Sequence, residues 1–146
     1  MNTVRSLIDR HAHTQPQGTF LIAPEKAGVM TYERLRAHAL DIAARLAALD
    51  VGEGGKVAFL LPNGYWTAAL FLGVMYSGRV VVPLNAVSGD AALSFVIEHS
   101  DCRVLFVDEG NREKYAGVLA AVSDNVRVIP TGLDEGPEWP EQGGAA

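Results

Sequence analysis

Two asparagines stand at the far ends of apolar runs. Asn63 follows Leu61-Pro62, and Asn85 follows Pro83-Leu84. A carboxamide both donates and accepts hydrogen bonds, so such a pair could orient a small polar ligand without carrying a proton. In an open parallel sheet, ligands sit outside the carboxyl ends of the strands, near a switch in strand order. Asparagine is equally a residue that caps turns, and the sequence leaves both roles open.

Other constellations fail on spacing. The glycine-rich Gly52-Glu53-Gly54-Gly55 precedes a strand, whereas a dinucleotide loop follows a strand and opens a helix; Val57 stands where a third glycine is required. Neither G-x-x-x-x-G-K-[ST] nor G-x-S-x-G occurs. His11 and His13 lie two apart on a helix and point to different faces, a poor arrangement for sharing a metal. His38 is expected on the polar side of its helix, and His99 near a helix C-terminus, where positive charge is welcome. Cys102, at the start of a strand, reads as a small buried hydrophobe. Asp101 and Asp108 have no evident base or metal partner, and Trp66, Phe71 and Tyr76 read as core. No catalytic residue and no metal site is assigned.

The elements that would position the asparagines follow from periodicity. Residues 3–14 read as a helix with Val4, Leu7, Ile8 and Ala12 on one face. Residues 19–23 and 28–31 read as a short hairpin around Pro24-Glu25-Lys26-Ala27-Gly28. Thr31 is placed to cap a helix running to about Asp50, with Leu35, Ala39, Ile42, Ala43, Leu46 and Leu49 inward and Gly52 at its C-terminal stop. Asp41 and Arg45 can pair one turn apart.

Strand and helix then alternate. Residues 56–61, 80–84, 103–108 and 126–129 are strands. Residues 65–77, 89–99 and 111–122 are helices, the second capped by Ser88 with Leu93, Val96 and Ile97 inward, the third with Tyr115, Val118, Leu119 and Val122 inward. Continuous apolar strands are buried on both faces, which marks a parallel sheet between helices. The fold class is therefore α/β: a three-layer, mostly parallel βαβαβαβ sheet, preceded by a helix and a hairpin. The valines 80–82 are expected as a central strand, with Gly78 turning the chain into it and pairing ending at Pro83. Residues 1–130 form this unit, and the Gly/Pro-rich residues 131–146 read as a linker or disordered tail.

Composition excludes several functions. A net charge of −5 lacks the basic face that nucleic acid requires. The longest apolar stretch, Tyr65 to Tyr76, falls short of the roughly 20 residues a bilayer span needs. One cysteine and no signal peptide fit a cytoplasmic location.

The segments Met30-Thr31-Tyr32-Glu33-Arg34-Leu35, residues 57–85 and residues 104–109 together resemble adenylate-forming enzymes, more narrowly the acyl-CoA synthetases that activate fatty and aryl acids. The first is a variant of the family's T-Y-x-E-L segment. The second carries its G-D-x-V-A-x-x-L-P-N strand as Gly55-Lys56-Val57-Ala58 to Leu61-Pro62-Asn63, with Gly55 for the acid. It also carries the F-L-G-x-x-x-x-G-A-V-x-V-P-L-N-P helix and strand, as Phe71-Leu72-Gly73, Gly78 and Val80 to Asn85, with Arg79 for the small residue and Ala86 for the proline.

The resemblance implies an ATP-dependent carboxylate–CoA ligase that uses magnesium and passes through an acyl-adenylate, with a carboxylic acid and coenzyme A as partners. It places the exit Pro83-Leu84-Asn85-Ala86-Val87 beside the acyl-pocket and coenzyme A region, so that Asn85, Ala86 and Val87 join Asn63 of the strand-end crevice as pocket candidates; some aryl-acid ligases carry an arginine about where Val87 stands. The family's Ser/Thr/Gly-rich phosphate loop and C-terminal lysine do not occur in these 146 residues. The chain alone is therefore expected to bind no cofactor and to be inactive, as a truncated first subdomain. A homodimer or other self-association through exposed apolar surface is expected. Two other readings compete: a stand-alone, non-catalytic α/β module for dimerisation or small-ligand binding, and a flavodoxin-like nucleotide-binding domain.

Overall fold

The structure, a computed structural model, describes residues 3–22 and 29–140. The turn expected at residues 24–28 and the chain end at 141–146 lie outside the described residues.

Helix α1 (Val4–Thr14) opens with a capping box in which Thr3 and Ser6 each accept the other's backbone N–H. Strands β1 (Thr19–Ile22) and β2 (Val29–Thr31) pair antiparallel, as the expected hairpin. Helix α2 (Tyr32–Ala48) is capped by Thr31, whose hydroxyl accepts the Arg34 N–H at 3.1 Å. Leu35, Ala39, Ile42 and Leu46 form its buried stripe, and Arg45 meets Asp41 at 3.2 Å.

The α2 stop differs from expectation. Asp50, not Gly52, takes the left-handed turn, at φ 61°, and Val51 N–H closes back on Leu46 O at 3.0 Å. Val51 and Leu46 share a core, so the apolar contact that accompanies this motif outweighs the usual demand for glycine.

The remaining elements are β3 (Lys56–Leu60), α3 (Tyr65–Tyr76), β4 (Val80–Pro83), α4 (Asp90–Ser100), β5 (Val104–Val107), α5 (Glu109–Lys114), α6 (Ala116–Val122), β6 (Arg127–Gly132) and β7 (Gly136–Pro137). The main sheet runs in the order β4-β3-β5-β6-β7, with every pair parallel except β6–β7. Alternate residues of one strand feed two cores. Val57, Phe59, Val104 and Phe106 pack under α2 and α3, while Ala58, Leu60, Leu105 and Val107 pack under α4 and α6. That two-sided burial is why these strands read as unbroken apolar runs. At about 1.5–3 kcal/mol per fully buried large side chain, the two cores account for most of what holds the layers together.

A third cluster joins α1, the hairpin, α2 and α3 through Ile8, Met30, Leu35, Ala39, Tyr65 and Tyr76. Asp9 fastens α1 there, accepting from Tyr76 OH at 2.7 Å and Arg36 Nε at 2.9 Å. The Tyr76 hydroxyl and then Arg36 hold its carboxyl below the usual range. Helix α3 is apolar all round because it lies between α2 and the sheet. Gly73 permits that contact, since a Cβ there would stand 2.6 Å from Ile42 Cδ1.

Several expectations are corrected. The valines form the edge strand β4, not a central one, and Val80 is exposed. Val80 donates to Gly55 O, just before β3, and Leu84 to Phe59 O within it, so odd-numbered residues turn their backbone outward, where Pro83 has no N–H. The edge is thereby blunted. Gly89, at φ 91°, stands at the α4 N-cap instead of Ser88, and Val96 is exposed where Leu93 and Ile97 are buried. The helix expected at 111–122 is two helices broken at Tyr115, φ −112° and ψ 27°. Of the stretch expected as a linker or tail, residues 131–140 instead extend β6, turn and return as β7. Trp66 Nε1 donates to Asp134 O at 3.2 Å, and Trp139 packs edge-on to Phe106 with ring centroids 5.4 Å apart.

Candidate functional site at the carboxyl end of the sheet

Helix α3, which follows β3, lies on one face of the sheet; α4 and α6, reached from the neighbouring β4 and β5, lie on the other. The exits of β3, β4 and β5 therefore diverge at one place, and that is the switch point of this fold. The two expected asparagines both flank it, but in different states.

Asn63 is exposed in the turn between β3 and α3. Thr67 Oγ closes that turn by donating to Pro62 O at 2.6 Å. Asn85 is committed to a local turn: its Oδ1 accepts the Val87 N–H at 3.0 Å, and its carbonyl accepts the Ser88 N–H at 3.1 Å. Ala86 is half-buried, and its carbonyl accepts both Tyr115 OH at 2.6 Å and Lys114 Nζ at 3.0 Å. Val87 is 81% exposed.

The crevice also holds residues that the sequence reading left unassigned. Asn111 Nδ2 donates to Asp108 Oδ1 at 2.6 Å and to Leu60 O at 3.3 Å, bridging the ends of β5 and β3. The signal was the Asp108-x-x-Asn111 spacing directly after a strand, which places both residues on the first turn of a helix. Tyr115 was read only as core; its ring is buried, but its hydroxyl is spent on the β4 exit.

Burial raises the Cys102 thiol above its ordinary range, which suppresses thiolate chemistry. His99 stacks on Phe95, with ring centroids 4.0 Å apart. His38, expected on a polar face, is half-buried: its Nε2 lies 2.8 Å from Tyr65 OH and its ring meets Trp66 edge-on. Burial, then Arg34, lowers its pKa.

A model of the AMP-binding enzyme family matches residues 8–143. The chain belongs to that family. Sulfoacetate–CoA ligase of Cupriavidus necator is 32% identical over 133 residues, covering 91% of this chain and 26% of the relative. A 3-hydroxybenzoate–CoA ligase of Aromatoleum is 33% identical over 106 residues, covering 73% of this chain and 20% of the relative. Among solved structures, the N-terminal domain of FACL13 from Mycobacterium tuberculosis superposes with a TM-score of 0.77 at 26% identity, over 89% of this chain and 34% of that one. The chain thus spans about a quarter of the length of its first curated relative.

At the entry to β3, a Cβ on Gly55 would lie 2.7 Å from Val51 Cγ1 and 2.8 Å from Gly52 O. The tight entry into β3 requires glycine.

A cleft of about 510 Å³ at the exits of β5 and β6 is lined by Asp108, Glu109, Glu135 and Glu138 beside Arg112. Among the described residues no three His, Cys, Asp or Glu side chains converge to hold a metal ion, and no helix is long and apolar enough to cross a membrane.

Proposed function

We propose that these residues are the first α/β subdomain of an ATP-dependent acid–CoA ligase that works through an acyl-adenylate. The match of the AMP-binding family model over residues 8–143 carries the reading, and the acid–CoA ligase relatives support it. The substrate is a carboxylic acid, with coenzyme A as acyl acceptor. Adenylation converts a carboxylate oxygen into part of a good leaving group, AMP, which a thiolate then displaces.

In this reading Asn63, Asn85, Ala86 and Val87 border the acyl and coenzyme A region. They supply shape and hydrogen bonds, and none is catalytic. Residues 1–146 by themselves are expected not to adenylate, because the Ser/Thr/Gly-rich phosphate loop that would cradle the developing charge does not occur in them. The protein works in the cytoplasm.

The test is ATP–pyrophosphate exchange and thioester formation with sulfoacetate, 3-hydroxybenzoate and long-chain fatty acids. It is run on residues 1–146 and on the gene product with whatever sequence accompanies them. Exchange is expected only with the latter. Exchange by residues 1–146 alone would sink the incomplete-site reading.

Exposed Val80, Phe95 and Val96 favour a second reading, a non-catalytic module that dimerises through apolar surface. Light scattering decides it: a monomer at high concentration excludes the dimer.

A further inference from the structure

One short helix reaches three strand exits. Asp108 ends β5 and holds Asn111, and Asn111 also donates to Leu60 O at the end of β3. Lys114 and Tyr115 donate to one acceptor, Ala86 O, beyond the end of β4. Gly89 N–H in turn donates to Tyr115 Oη at 3.4 Å, so the tyrosine grips the loop at two points.

The break between α5 and α6 makes this possible. At Tyr115 the backbone leaves helical geometry, which lets the ring sink into the core, 1% exposed, while its hydroxyl reaches the loop.

The bonds within the β4–α4 loop fix only its shape. Asn85 Oδ1 and Asn85 O bind amides two and three residues on, and would do so wherever the loop lay. Its place over the sheet depends on contacts from outside. A carbonyl has two lone pairs, and those of Ala86 are matched by two donors from the α5–α6 junction.

We propose that Tyr115 and Lys114 are positioning residues that clamp loop 84–89 over the switch point and so place Asn85 and Val87 toward coenzyme A. This rests on the acid–CoA ligase reading. Asn85, Val87, Ser88 and Gly89 are exposed, so the loop is free to meet a ligand at this end of the sheet.

Tyr115→Phe keeps the ring and deletes the hydroxyl. Lys114→Met keeps the stem and deletes the ammonium. Both are made in the full gene product, with Lys114→Arg as the variant that retains a donor. Hydrogen exchange and the two half-reactions are then measured.

In Tyr115→Phe, the Gly89 amide, which loses its acceptor, is expected to exchange about tenfold faster while β3 and β5 keep their protection. The KM for coenzyme A is expected to rise about three- to tenfold, with kcat for adenylation within about twofold of wild type. Lys114→Met should shift both in the same direction, and Lys114→Arg should restore them. Loop exchange unchanged in Tyr115→Phe overturns the clamp, and acceleration throughout the core reduces it to a stability effect. A loosened loop with an unchanged KM overturns the positioning role and leaves the ligase reading intact. If wild type forms no thioester with any acid, the ligase reading and the coenzyme A role fall together, while loop exchange still decides the clamp.

Discussion

The exits of β3 and β4 share a proline, an asparagine and a leucine, yet they lean on distant residues to different degrees. The β3 exit passes through Pro62, Asn63 and Gly64 straight into α3; Thr67 closes it on Pro62 O, and Asn111 donates to Leu60 O where the strand ends. The β4 exit is longer and has its own turn at Asn85, but its position comes from Tyr115 and Lys114, far along the chain. A short connection is fixed mostly by the two elements it joins. A longer one has freedom left over, and something non-local must remove it.

The contrast can be broken from the largest effect downward. Tyr115→Ala deletes a buried ring under the β4 exit and should cost about 3–5 kcal/mol in chemical denaturation. Tyr115→Phe, which leaves the ring, should cost about 1–2 kcal/mol; a larger loss would mean that the hydroxyl supports more than the loop. Asn111→Ala removes the bridge between the β5 and β3 exits and should also cost about 1–2 kcal/mol, measured by the same denaturation curves. Asn85→Ala should cost about 0.5–1 kcal/mol and raise protease cleavage near Val87, because only a local turn is lost. Asn63→Ala should lie within about 0.5 kcal/mol of wild type in thermal melts. If Asn63→Ala proves more costly than Asn85→Ala, the two exits are not supported in the way described.

The sheet's two edges differ as well. At β7 the chain folds back and covers β6, with Trp66 pressed against Gly136, where a Cβ would lie 2.6 Å from Trp66 Cε2. At β4 no strand among the described residues pairs with the outer side, and proline blunts it instead. The sequence showed neither outcome, because valines 80–82 read the same whether one or two strands flank them. The Gly/Pro-rich composition after Pro130 suggested a linker, since glycine and proline mark tight hairpins and flexible chain alike; the docking of Trp66 and Trp139 separates the two cases. Ser88 is a good capping type one residue early, displaced because Gly89 can adopt φ 91°. His38 looked polar from its own helix, and only α3, packing alongside, buries it against Tyr65 and Trp66.

Hydrophobic period and residue type are local properties, and they were enough to locate most helices, the parallel strands, the cap at Thr31 and the turn at Gly78. The order of strands, the open edge at β4 and the convergence of Asn111, Lys114 and Tyr115 on two backbone carbonyls are properties of distant segments brought together. A carbonyl at Leu60 or Ala86 leaves no mark in the sequence, because every residue has one. Which donor finds it is decided by how the sheet and its helices pack.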